Sequence, residues 1–276
     1  MSRERILIAG CGDLGTELGL QLADAGHQVW GLRRRAEPLP SPLHSLRADL
    51  NDPVSLERVV PAELDLVFYI ATPSAFNDDA YRRAYPEGLR NLLNALDDQA
   101  PRRLILVSST SVYGQEGGEW VDEDSPTQPA GFSGQRMLEA ERIAMASGIA
   151  TTVVRFAGIY GPGRTRMLNK VRNNEPCIAD QYSNRIHRTD CIGILAHLAR
   201  PDVAAGIYLA ADDTPCPQCE LMDWLADRLD VPQPPRADKT QRQRGGSKRC
   251  RNDKLKASGY ELRYPSYREG YAAMLD

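Results

Sequence analysis

The sequence predicts an α/β fold: a doubly wound parallel sheet carrying a smaller C-terminal lobe. Three observations predict it. Short apolar runs alternate with helical stretches through the first 110 residues, the pattern of βαβ units. The runs are continuously apolar, as in strands covered by helices on both faces. A glycine-rich turn, GCGDLG, follows the first run directly.

The elements follow in order. RILIAG (5–10) is the first strand, Asp13 to Ala25 a helix, and HQVWGL (27–32) the second strand. A third strand ends at Asp49-Leu50, DLVFYIAT (65–72) is the fourth, and a helix runs on to Leu96. RLILVSS (103–109) is the fifth strand and TTVVRFAGIYG (151–161) the sixth, and GIYLAADD, from Gly206, returns to the same sheet. Residues 1–160 are thus expected to form the main domain, with return segments near 186–212, and 161–276 mainly a lobe. PQPPRADKTQRQRGGSKRCR (232–251) reads as an extended linker-like run whose basic residues are a solvated surface or a diphosphate contact.

With 276 residues, 42% hydrophobic and 26% charged, the chain can bury a large core. A net charge of −3 offers no general attraction to a phosphate backbone, so nucleic acid is not an expected partner and a small molecule is. The N-terminal apolar run is too short for a signal peptide or a membrane span, which places the protein in the cytoplasm. The six cysteines are expected as reduced thiols, and Cys216-Pro-Gln-Cys219, with no second pair nearby, as a plain loop rather than a redox or metal site.

Gly10, Gly12, Asp13, Leu14 and Gly15 carry the G-x-G-x-x-G turn between a strand and a helix, the Rossmann context for a dinucleotide pyrophosphate. The second strand ends in Arg33, Arg34 and Arg35, with no acid until Glu37. Guanidiniums suit a 2′-phosphate, so NADP(H) is expected over NAD(H), which stays open, and a solvated basic turn is the alternative. Asp49 and Leu50, then Ala71, Thr72 and Pro73, lie at strand ends where a nucleotide would pass.

Together with these, LILVSSTSVYG (104–114), the Glu123, Pro126 and Pro129 run, VVRFAGIYGPGR (153–164) and RIHRTDCIGIL (185–195) make the chain resemble the extended and atypical short-chain dehydrogenase/reductases, which include nucleotide-sugar epimerases, dehydratases and reductases. The likeness is strongest to an atypical bacterial subgroup with a degenerate catalytic motif. It implies a nucleotide-sugar-like carbonyl or alcohol as substrate. It puts Ser109, with Ser111 beside it, where a hydroxyl polarises the substrate oxygen, a role open to any strand-end hydroxyl.

The family's Tyr-x-x-x-Lys pair falls on Phe132 and Arg136; a shift by one gives Gly131 and Gln135, and neither register has a phenol. A phenyl ring moves no proton, and a guanidinium stays protonated. Arg136 could instead hold a ribose or phosphate, or be an exposed helical Arg. Tyr85 stands where the family has a supporting Asn, as a replacement acid or a packed helical Tyr. His187 is a second replacement donor or a packed strand His. Phe156, Gly158 and Ile159 should pass the nicotinamide, and Tyr160, Arg164 and Arg166 should meet the substrate. Asp190 suits a helix N-cap. A catalytically silent NAD(P)-binding sensor is the rival function. A homodimer is compatible with the sequence, which does not fix oligomeric state.

Overall fold

The computed structural model describes residues 3–237 and 246–275. Five parallel strands come first: β1 (Arg5–Ala9), β2 (Gln28–Arg33), β3 (His44–Arg47), β4 (Leu66–Tyr69) and β5 (Arg103–Ser109). With Thr151–Phe156 and Gly206–Ala210 they form one seven-stranded sheet, ordered Gly206–Ala210, Thr151–Phe156, β5, β4, β1, β2, β3. The order reverses between β1 and β4, which opens the crevice at their carboxyl ends where such sheets bind ligands. Ile6–Ala9 and all of β4 are buried, the reason these runs lack alternation.

Helices α1 (Asp13–Asp24), α2 (Pro53–Glu57), α3 (Asp78–Arg82), α4 (Gly88–Ala95) and α5 (Phe132–Met145) connect these strands. Leu14, Leu18 and Leu22 repeat every four residues and bury one face of α1. Asn77 caps α3, its side-chain oxygen accepting from Ala80 N at 2.8 Å. Between α3 and α4 the helix widens into a π turn, Arg83–Glu87, containing Pro86. There Gly88 N donates to Arg83 O instead of closing the ordinary turn on Ala84, whose carbonyl accepts from Tyr69 Oη at 2.6 Å.

A buried triad ties α5 to the sheet. Glu141 accepts from Arg155 at both oxygens, at 3.0 and 2.7 Å, and from Ser108 Oγ at 2.5 Å.

The chain divides into two compact units that interleave in sequence: 1–112, 129–155 and 192–207 make the first; 113–128, 156–191 and 208–276 the second. The expected boundary near 160 thus does not account for 113–128. That segment groups with the second unit because Glu119–Val121 pairs in parallel with Lys248–Cys250.

The same pairing corrects the linker reading of 232–251. Arg236–Ala237 pairs with Cys177–Ile178, and Lys248 and Cys250 turn inward and are buried. Residues 238–245 lie outside the described residues.

The second unit has its own core, where Met222, Leu225 and Leu221 of the helix Gln218–Leu229 pack with Tyr267 and Tyr271. Here two expectations about cysteine fail. Cys177 and Cys219, 42 residues apart, form a disulfide, so not all six are thiols. Cys216-Pro217 pairs with Tyr182-Ser183 and Cys219 opens a helix, so the segment is not a plain loop. Cys216 stays a buried thiol. Asp190 does not act as an N-cap. It lies inside the helix Arg188–Leu198, and its carboxylate accepts from Arg263 N, Tyr264 N and Tyr260 Oη at 2.7, 3.0 and 3.1 Å.

Candidate active site

The dinucleotide turn is built at the carboxyl end of β1. Gly10 has φ +84°, and a Cβ there would stand 2.7 Å from Ile70 C and O and 2.8 Å from Ala71 N, so only glycine lets the two strand ends close up. Gly12 precedes α1 and is exposed, and a Cβ on it would meet nothing nearer than 3.9 Å. Asp13 is exposed beside it at the start of α1, while Leu14 and Gly15 are buried, Gly15 facing Ile8. Open space over Gly12 at the positive end of a helix fits a pyrophosphate.

Of the arginines that end β2, Arg33 turns back. Its Nη2 donates to Glu37 O and Pro38 O at 2.5 and 3.2 Å, and its Nε is buried without a hydrogen-bond partner. Arg34 and Arg35 are exposed. Asp49 uses Oδ1 on Asn51 N at 3.0 Å, and Leu50 O accepts from Asn91 Nδ2 at 2.8 Å. Ala71 and Pro73 are half-buried and Thr72 is exposed. An unpaired buried donor, a glycine-tight approach of two strand ends and an open helix start fit NAD(P); Gly10, Gly12 and Arg33 would hold it.

Ser109 ends β5, and its Oγ accepts from Ser111 N at 3.1 Å; both serines are half-buried. The first turn of α5 runs against this turn, because a Cβ on Gly134 would lie 2.2 Å from Ser111 O. The helix that begins with Phe132 can approach this turn so closely only at a glycine.

Phe132 is half-buried in an aromatic cluster: Phe76 at 4.9 Å and Tyr81, edge-on, at 5.4 Å between ring centroids. Tyr81 also meets Phe76 and Tyr85, each at 5.4 Å.

Arg136 faces α3. Its Nε and Nη2 donate to the two oxygens of Asp78 at 2.8 and 2.9 Å, and Nη1 donates to Glu139 at 3.1 Å. The pairing holds the Asp78 carboxyl below the usual carboxylate range. Arg136 is thus a clamp between two helices. Tyr85 is buried, and burial pushes its phenol well above the ordinary tyrosine value, so it is a packed ring.

The remaining sequence candidates belong to the second unit. Phe156 is buried, Gly158 exposed and Ile159 half-buried; Gly158–Tyr160 pairs in parallel with Arg185–His187. Tyr160 is buried and stacked on Tyr271 at 4.3 Å, which removes it from a surface that could meet substrate. His187 is buried, packs against Tyr160 and Tyr264, and accepts from Thr189 N at its Nδ1; burial lowers its pKa and keeps it neutral. Arg164 is half-buried, and Arg166 is exposed at the start of the helix Arg166–Arg172.

Sequence reasoning missed Phe76, Tyr81 and Asp212. Tyr81 carried a signal, being one helical turn before Tyr85. Asp212 carried none, because its burial depends on chain far away in sequence. Burial raises its carboxyl to about 8, with Arg185 nearby opposing the rise. Among the described residues no group of three or more His, Cys, Asp or Glu could hold a metal ion, and no helix is long and apolar enough to cross a membrane.

A parallel sheet with this switch point and a glycine-tight turn before an open helix start has the layout in which α/β proteins hold a dinucleotide. The family model for the NAD dependent epimerase/dehydratase family matches residues 6–188, and the chain belongs to that family. A solved structure described as a candidate NAD-dependent epimerase/dehydratase from Methylobacillus flagellatus is 41% identical, with a TM-score of 0.82 over 99% of this chain and 98% of that one. The 3-diazoavenalumate denitrifying reductase of a Streptomyces species is 28% identical over 255 residues, covering 83% of each chain. MoeE5, solved with UDP-glucose and NAD, is 24% identical with a TM-score of 0.79 over 98% of both chains and shares the fold.

Proposed function

We propose that this protein is an NADP(H)-dependent oxidoreductase or epimerase acting in the cytoplasm on a carbonyl or alcohol of a nucleotide-sugar-like substrate. The observation that carries the reading is the close approach, at Gly10, of the carboxyl ends of β1 and β4 next to an arginine Nε without a hydrogen-bond partner. When bound, the nicotinamide would supply or accept the hydride. Ser109 would polarise the substrate oxygen from the end of β5, and Gly10 and Gly12 would let the pyrophosphate approach the α1 N-terminus. The buried Nε of Arg33 and the exposed guanidinium of Arg34 would receive a 2′-phosphate. Support for the substrate class comes from the family and from MoeE5, whose structure holds a nucleotide sugar; the Streptomyces relative supports reduction as the direction.

Phe132 and Arg136 favour a second reading, an NAD(P)-binding regulator without turnover. The test titrates pure protein with NADPH and NADH, then follows nicotinamide absorbance with a panel of UDP- and dTDP-4-keto-sugars. Tighter NADPH binding that Arg33→Ala reduces at least tenfold, with turnover lost in Ser109→Ala, is the expected result. Equal affinities would refute the cofactor preference, and tight binding with no turnover would decide for the regulator.

A further inference from the structure

Aligned on the preceding prolines, the family's proton-donating phenol falls on Phe132, and a phenyl ring cannot protonate an oxygen that receives a hydride. The first unit contains three tyrosines. Tyr69 is buried and donates to Ala84 O. Tyr85 is buried beneath the cluster. Tyr81 is half-buried, and its ring stands edge-on to Phe132, 5.4 Å between centroids.

Resting on the reading above, we propose that Tyr81 is the catalytic acid-base residue, a phenol moved from the first turn of α5 to the neighbouring helix α3. Two further features of the same region support the assignment. Arg136, at the family's lysine position, clamps Asp78 with two hydrogen bonds and so fixes the start of the helix that carries Tyr81. The π turn Arg83–Glu87 begins two residues after Tyr81, and such insertions in helices recur at functional sites. Arg136 is a positioning residue in this scheme.

The step balances. In the reducing direction the carbonyl carbon receives hydride from bound NADPH, the C=O π pair moves onto oxygen, and that oxygen takes the phenolic proton of Tyr81. The half-exposed phenolate regains a proton from water. The carbonyl is reduced to an alcohol, and NADPH is oxidised to NADP⁺.

The experiment compares wild type, Tyr81→Phe, Phe132→Tyr and the double variant. Tyr81→Phe keeps the ring, so it should fold, bind NADPH as wild type does, and lose about 10²–10⁴-fold in kcat. Phe132→Tyr in the Tyr81→Phe background should restore at least tenfold, and the basic limb of the pH profile should move. A Tyr81→Phe enzyme within threefold of wild type overturns the assignment while leaving the proposed function standing.

A second readout needs no substrate: an ultraviolet difference titration of wild type against Tyr81→Phe with NADP⁺ bound. The nicotinamide cation should draw the Tyr81 phenol below the ordinary value of about 10. No such ionisation overturns the proposal even if no panel compound reacts, whereas its presence without turnover counts against the substrate reading alone.

Discussion

Replacing Glu141 by Ala should cost the protein about 3–5 kcal/mol, more than any surface change in the same helix. The figure follows from burial. The Glu141 and Arg155 side chains are 4% and 3% exposed, so removing the carboxylate takes two hydrogen bonds and the facing charge from a guanidinium held out of water. Ser108 Oγ loses its acceptor in the same step. Unfolding entropy near 2.1 cal/mol/K per residue makes the cost about 5–9 °C in Tm for a chain of this length. The assay is urea and thermal denaturation of wild type, Glu141→Ala and the triple variant Ser108→Ala, Glu141→Leu, Arg155→Leu. The triple variant should recover most of the loss, since an apolar replacement takes the buried guanidinium away together with the carboxylate that faced it. A Glu141→Ala loss under 1 kcal/mol, or a triple variant no better than the single one, would refute the reasoning. The triad also ties α5, the helix that begins with Phe132, to β5, the strand that ends at Ser109.

Two more expectations concern the second unit. Asp212 keeps its proton in the folded protein up to about pH 8, whereas the unfolded chain releases it near pH 4. The folded state binds more protons in that window, so stability should fall as pH rises from 4 to 8, by at most about 1.4 kcal/mol per unit from this group. Asp212→Asn should flatten that slope in denaturation series at pH 5, 6.5 and 8; an unchanged slope would remove Asp212 as its source. The Cys177–Cys219 bond closes a long loop, so Cys177→Ser or Cys219→Ser should cost the oxidised protein about 2–4 kcal/mol. Thiol counting after unfolding without reductant should find four reactive cysteines, and six would exclude the disulfide.

The Rossmann half was legible in the sequence because its signals are local. Continuous apolar runs mark strands covered on both faces, GCGDLG marks a turn that needs glycine, and SSTSVYG marks the end of β5 whatever the rest of the chain does. That the first turn of α5 carries Phe132 and no tyrosine was legible too. Tertiary structure decided what surrounds that position. Arg136 faces α3 because Asp78 is there, Tyr81 reaches the cluster through the packing of α3 on α5, and Tyr85 and Tyr160 are lost to burial. The strands within 232–251, the pairing of Cys177 with Cys219 and the raised carboxyl of Asp212 depend on partners tens of residues away, and no local pattern encodes them. Sequence by itself determined which groups the chain owns and the periodicity that builds its sheet. The distances between groups, such as the 5.4 Å between the rings of Tyr81 and Phe132, were set by long-range packing.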